Sequence, residues 1–402
     1  MRRKYNMQKK LITAAVGAAL ASAAFMAQAD VTVYGRAQFE WAQVTNDGIY
    51  NFGTFGATPA PGNVGSWNNA TVAPGTTRSA AVDNKMGRFG IKADEDLGNG
   101  WKGVAQFEWQ VDTADAQDNA SGPITERVTI VGISQKSIGT LYFGQDHSPY
   151  KLSGVPLDPF IATTLEARNN GGMSGNRDGW SVMNGHSGFV DNGMFFKSAS
   201  WAGVYVNAYV GLDRTGADGT CGVGAAWGNC DAPSNGGKNN GDLSATVGWK
   251  GDLGPVGLSV FGSYAEMKNT TNNAAGTGDP TAMKIGTQLT FVKTQTISLQ
   301  YEETDRNNIA NNNLDKGTYY FIGYQGKFGP VTAVAQLGAF ESGSDPVLGK
   351  YDSNYYALGA IYNMSKTFRI FGGYRHTDSS LSGGVQNFRD DDVISLGMRK
   401  DF

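Results

Sequence analysis

The sequence predicts an all-β chain: a 16-stranded antiparallel transmembrane β-barrel, one domain over residues 30–402 behind a cleaved leader at 1–29. Three observations predict it. Apolar and polar residues alternate with period two along most of the chain, which is the spacing of strands and not of helices. Connections alternate strictly between short and long, as they do when tight turns gather at one rim of a barrel and loops at the other. Several alternating segments run about ten residues, the length a tilted strand needs to cross a hydrocarbon core.

The N-terminus comes first. Arg2, Arg3, Lys4, Lys9 and Lys10 precede an apolar and small-residue run from Leu11 to Ala24, and Ala27-Gln28-Ala29 forms a small-residue cleavage site. This is an export signal cut before Asp30, and Met7 offers a second start. Removing it takes five basic and no acidic residues from 33 Lys+Arg and 36 Asp+Glu, leaving 28 against 36, a net charge of −8. That acidic balance argues against a nucleic-acid partner. After residue 30 no run approaches the roughly 20 apolar residues of a membrane helix, while 20 Phe, 17 Tyr and 8 Trp are too many aromatics for disorder.

The strands follow. Val31, Val33, Ala37, Phe39 and Trp41 alternate with Thr32, Tyr34, Arg36, Gln38 and Glu40. Met283, Ile285, Leu289 and Phe291 share one face of 282–291, as Ile297, Leu299 and Tyr301 do of 296–302. Ile394, Leu396, Met398 and Phe402 share the outer face of the last strand, opposite Val393, Gly397, Arg399 and Asp401. Seven short links lie at 96–100, 135–139, 198–203, 251–255, 292–295, 328–330 and 364–367. Eight long polar links lie at 45–84, 112–123, 147–193, 213–241, 269–281, 306–316, 341–353 and 377–391, so that fifteen connections join sixteen strands. A sheet in lipid must close on itself, because its edge cannot be hydrated there. A soluble sandwich has shorter strands and no reason to collect its long loops on one side.

The order of local motifs carries a resemblance. Val33-Tyr34-Gly35-Arg36 opens the first strand, and Arg88-Phe89-Gly90-Ile91-Lys92 leads through Glu95-Asp96-Leu97-Gly98-Asn99-Gly100 to another. Residues 127–133 and 139–145 follow, and Phe402 ends the chain. In this order, behind an export signal, the chain resembles the trimeric general diffusion porins of Gram-negative outer membranes. The resemblance implies short periplasmic turns, long external loops and a third loop, 147–193, folded inward as an eyelet. It implies a homotrimer in contact with outer-membrane lipid and lipopolysaccharide, held by the first and last strands with loop 112–123 as a latch. It makes Phe402 the signal read by the outer-membrane assembly machinery, with Lys400 an unusual lipid-side neighbour. No cofactor, metal or catalytic group is implied, and the cargo would be ions and small hydrophilic solutes moving passively.

Function then rests on charge at the eyelet. Strand phase turns Arg36, Arg88 and Arg127 inward, on the premise that Ala37, Phe89, Val128 and Ile130 face lipid. The resemblance gives these three arginines the basic wall of the constriction. Lys92 and Lys102 also face inward by phase. Opposite, the loop offers Asp158, Glu166 and Asp178, with Asp158 and Glu166 in the part that crosses the lumen. Its own Lys151, Arg168 and Arg177 nearly cancel those acids, which leaves the sign of ion preference open.

Phe160, Trp180 and Phe189 leave a sugar preference open, so a sugar- or anion-selective channel is the alternative. A barrel enzyme would need His376 with Ser379 or Asp378, which form no recognisable motif. Arg389-Asp390-Asp391-Asp392 could bind divalent cations shared with lipopolysaccharide, though a solvated loop is the simpler reading. His147, His186 and His376 lack the spacing of zinc ligands. Cys221 and Cys230, in an exported Gly-rich segment, are expected to close a disulfide.

Overall fold

Among the described residues, seventeen strand segments form one antiparallel sheet that closes on itself. The computed structural model describes residues 29–47, 75–82, 86–114, 124–175, 188–212, 241–267, 279–305, 316–345, 349–381 and 385–402. In chain order the strands are β1 (Asp30–Asn46), β2 (Thr76–Val82), β3 (Arg88–Gly98), β4 (Trp101–Val111), β5 (Ile124–Gln135) and β6 (Gly139–His147). After α1 (Pro149–Gly154) come β7 (Phe189–Ser198), β8 (Val204–Gly211), β9 (Leu243–Leu253), β10 (Val256–Glu266), β11 (Thr281–Phe291) and β12 (Gln295–Asp305). The set ends with β13 (Lys316–Phe328), β14 (Val331–Asp345), β15 (Gly349–Asn363), β16 (Phe368–Leu381) and β17 (Val385–Asp401).

Seventeen segments make sixteen staves, because β2 and β3 are two halves of one. β1 pairs with β2 from Glu40 to Asn46 and with β3 from Asp30 to Arg36. At the interruption the Gln38 carbonyl accepts from the Thr113 hydroxyl, a side chain standing in for the missing strand bond. The seam closes where β17 pairs with β1, and Phe402 finishes it by exchanging two backbone hydrogen bonds with Gly35 at 2.9 and 3.1 Å. Its ring lies over Gly35, where a Cβ would strike it.

Alternation sorts the faces as a bilayer requires. Val33, Phe39, Trp41, Ile285, Leu299, Ile322, Leu337, Leu396 and Met398 are exposed on the outside, and Gln38, Glu40, Ser298, Gln300 and Ser395 are buried within. Lys400 faces out, and its Nζ reaches the Thr367 hydroxyl at 2.6 Å in the β15–β16 turn, so its charge is held at the rim and not in hydrocarbon.

Two expected long loops are strand instead, and a third, 45–84, holds β2 at Thr76–Val82. Residues 341–353 belong almost wholly to the β14–β15 hairpin, and 377–391 to the β16–β17 hairpin, with only 346–348 and 382–384 between the strands. The Gly, Ser and Asp content that suggested loops is compatible with pairing that rises past the membrane, where neither face must be apolar. The 389–392 run therefore lies within β17. Asp391 points in to a fully buried Arg375 at 2.6 Å, while Asp392 points out to His376 at 2.9 Å. The run splits across two faces, with Asp391 inside and Asp390 and Asp392 outside, 4.0 and 2.9 Å from His376. His376 and Ser379 likewise lie on opposite faces of β16, with Ser379 2% exposed inside.

Candidate pore constriction

The segment after β6 enters the lumen. Ser148 caps α1, its hydroxyl accepting from Lys151 N at 3.0 Å, and Pro149 sets the first turn. A 3-10 turn over Val155–Leu157 follows, and the chain then runs along the inner wall to β1 before turning back. Each step is tied to the barrel. On β9, Ser244 accepts from Tyr150 N and Thr246 donates to the Pro149 carbonyl, both at 3.0 Å. Gln288 of β11 donates to Pro156 O, and Gln38 of β1 to Ala162 O, both at 2.8 Å. Tyr355 of β15 donates to Leu165 O at 2.6 Å, and Thr377 of β16 to Asn170 O at 3.1 Å.

Two buried carboxylates on the wall act as anchors. Glu40 accepts from the backbone N–H and hydroxyl of Thr164 and from Ser395. Glu302 accepts from Tyr150 Oη at 2.5 Å, from the Ser174 hydroxyl and from Gln300. Apolar packing completes the seat. Leu157, Phe160, Leu165, Ala167 and Met173 of the loop form one core with Phe261, Phe321, Tyr355 and Phe371 of the wall. Burying each large apolar side chain is worth roughly 1.5–3 kcal/mol, so the seated loop is a packed element. At Gly338 the approach is so close that a Cβ would collide with Gly172.

The loop seats on the wall from β9 to β16 and reaches β1. On β3, β4 and β5 the inner face carries a charged cluster in which Glu108 and Arg127 are buried and Arg88 is half-buried. Arg127 Nε donates to Glu108 at 2.9 Å and Nη1 to Gln110 at 3.1 Å, and Arg88 lies 3.7 Å from the same Glu108 carboxylate. Tyr34 donates to the other oxygen of Glu108 at 3.0 Å. Arg36 sits opposite Arg88 in the β1–β3 register but pairs with Asp401 at 2.5 Å. Lys92 lies 4.8 Å from the centre of the Tyr34 ring, and Lys102 pairs with Asp94.

Arg127 reaches the lumen through a β-bulge. Glu108 pairs with Val128 and Trp109 with Glu126, so Arg127 is the extra residue on β5, and both Arg127 and Val128 turn inward. Val128 is 3% exposed, and Ile130 packs on the inward cluster of Tyr142, Val190, Phe195 and Tyr209. The expectation that Val128 and Ile130 face lipid is thereby corrected: below the bulge the lipid face is Val131 and Ile133.

The two acids of the loop are placed differently. Asp158 is 1% exposed and turned to the wall, where it accepts from Gln336 at 2.6 Å, Phe160 N at 2.9 Å and Ala167 N at 2.8 Å. Burial pushes its carboxyl up to about 6 despite these donors. Glu166 is half-buried and braces the loop tip, accepting from Ala162 N at 2.6 Å and Asn169 Nδ2 at 2.9 Å. Among the loop cations, Lys151 lies 4.7 Å and Arg127 4.9 Å from the centre of the Phe189 ring, so wall and loop charges meet there. Burial, then Arg168 and Arg127, push the Lys151 ammonium well below its usual range. Sequence reasoning set Lys151 aside because the loop's net charge was near zero; its position beside Arg127 becomes visible only once the loop is seated. Phe160 is fully buried in the core, whereas Phe189 reaches the cations. Asp178, Arg177, Trp180, His186, Cys221, Cys230 and residues 1–28 lie outside the described residues.

Known proteins share the fold. A sequence profile of Gram-negative porins matches residues 13–382. An outer membrane porin protein of Bordetella pertussis is 25% identical over 401 residues, covering 98% of this chain and 91% of its own length. An anion-selective porin from Comamonas acidovorans superposes with a TM-score of 0.65 at 20% identity, over 93% of this chain and all of its own. OmpF of Salmonella typhi superposes at 0.58 with 12% identity, over 92% and 97%. The trimer form of OmpT from Vibrio cholerae gives 0.56 with 14%, over 93% and 99%. Barrel, inward loop and profile agree, and the chain belongs to the Gram-negative porin family.

Proposed function

We propose that ions and small hydrophilic solutes cross this outer-membrane porin between the arginine wall of β3–β5 and the seated loop, and that this constriction prefers anions. The observation that carries the preference is the burial of Asp158 and Glu40. Both carboxylates are turned into the loop–wall seat, so that of the acids in the described residues of the loop between β6 and β7 Glu166 alone stays outside it, half-buried at the tip. Opposite stand Arg36, Arg88 and Arg127 with Glu108 as their inner counter-charge. Fixed charge at a narrow passage raises the local concentration of the opposite ion. That the Comamonas protein sharing this barrel is an anion-selective porin is in keeping with this reading.

The same proposal includes cleavage before Asp30, a homotrimer in contact with outer-membrane lipid and lipopolysaccharide, Phe402 as assembly signal and a Cys221–Cys230 disulfide. Reversal potentials in a KCl gradient across planar bilayers test the channel. Anion preference at low salt that fades toward 1 M, where the Debye length falls to about 3 Å, supports it; cation preference rejects it.

A further inference from the structure

Below the constriction, the inner face of the barrel seam carries more positive charge than it balances. Arg36 on β1 stands opposite Asp401 on β17, and Arg399 on β17 stands opposite Arg369 on β16. Asp401 is shared: Arg36 Nε approaches it at 2.5 Å and Arg399 Nε at 3.1 Å. The Arg369 side chain makes no hydrogen bond or ion pair among the described residues, and its Nε is buried without an acceptor. The charges it feels are Arg36 and Asp401. Three guanidiniums therefore face the lumen around one carboxylate, two residues above the Thr367 turn, at the mouth ringed by short turns.

A half-buried guanidinium is costly unless something accepts from it. Its planar fork suits a carboxylate or phosphate, which can accept two parallel N–H bonds. We propose that Arg36, Arg369 and Arg399 form a second anion site at this mouth, adjoining the constriction through Arg36 beside Arg88, which takes small divalent oxyanions and hands them along the arginine row to Arg88 and Arg127. The inference rests on the channel reading above and adds to it a binding step with a defined side. Asp401 competes with the incoming anion for Arg36 and Arg399, which keeps the site weak enough to release its cargo. Conduction requires that balance.

The test is block of KCl current by inorganic phosphate, added to either side of the assembled protein in a planar bilayer. Phosphate should block at lower concentration from the short-turn side than from the loop side. Arg369→Gln should raise the blocking midpoint about tenfold, the effect of losing one charge-assisted contact. Arg369→Lys, which keeps the charge without the fork, should fall between. Asp401→Asn should shift the midpoint the other way, because it frees two guanidiniums. Arg369→Gln removes an uncompensated charge and should assemble normally; were it not to assemble, the tightening in Asp401→Asn carries the test. Phosphate block of equal midpoint in wild type, Arg369→Gln and Asp401→Asn overturns the second site. Failure of the wild type to conduct would instead overturn the channel reading, so the two are told apart.

Discussion

The wall from β10 to β16 and the wall from β3 to β5 are built from strands of the same kind, yet their inner faces differ. On the first, Phe261, Phe321, Ile361 and Phe371 point inward, where a water-filled barrel should carry polar side chains. On the second, Arg88, Glu108 and Arg127 do. An inward Phe is stable only if something dry covers it, and the cover is Leu157, Phe160, Leu165 and Met173 of the loop. The apolar inner residues thus mark where the loop sits, and the charged cluster lies on the wall away from it. One barrel carries an apolar inner wall under the loop and a charged one beside it.

Unseating the loop should have the largest effect on that division. Phe160→Ala removes a fully buried ring from the loop core, at a cost of roughly 3–5 kcal/mol. Larger and noisier single-channel currents are expected, with cleavage of the loop by protease in folded protein. Quiet currents of wild-type size would show that the loop is held by its polar anchors alone. Next comes Glu302→Ala, which leaves Tyr150 Oη, Ser174 and Gln300 short of an acceptor. A cost of about 1–3 kcal/mol per stranded group should lower the melting temperature of the assembled protein without altering its ion preference.

A sharper contrast separates the two loop acids. Glu166→Gln should increase anion preference, whereas Asp158→Asn should leave the reversal potential close to wild type and weaken the loop seat. Equal shifts in both would mean that Asp158 also faces the lumen.

The smallest effect is on pH. Because the folded-state carboxyl of Asp158 lies at about 6, above its ordinary 3.8, the folded protein holds that proton more tightly than the unfolded chain. Its contribution favours the seated loop most below about pH 4 and is lost as pH rises toward 6, by a few kcal/mol at most. Melting temperatures from pH 4 to 7 should fall less steeply in Asp158→Asn than in wild type; identical slopes would show that Asp158 does not govern the pH response of the seat.

Much of this was legible in the sequence, for a physical reason. A bilayer forces alternation on every stave, so the outer rows of β1, β11, β12 and β17 could be assigned residue by residue. Rim lengths followed from turn chemistry, except at 76–82, 341–353 and 377–391, where residues read as loop are paired within strands. Strand phase turned Arg127 inward but misassigned Val128 and Ile130, because a bulge inserts one residue without leaving a mark in the pattern. Asp158 shows the limit most plainly. A loop acid reads as a lumen charge until the loop's own face is known, and that face is set by Gln336, which is 178 residues away in sequence.

If current flows along the charged wall of β3 and β5, the reversal potential of Arg88→Ala with Arg127→Ala, in a KCl gradient at low salt, reports it most directly. With Glu108 then freed of both partners, the preference should move from anions to cations, and the shift should shrink at molar salt. Correctly assembled protein of normal conductance whose reversal potential is unchanged would contradict that path, since the charges that select the ions would then lie elsewhere.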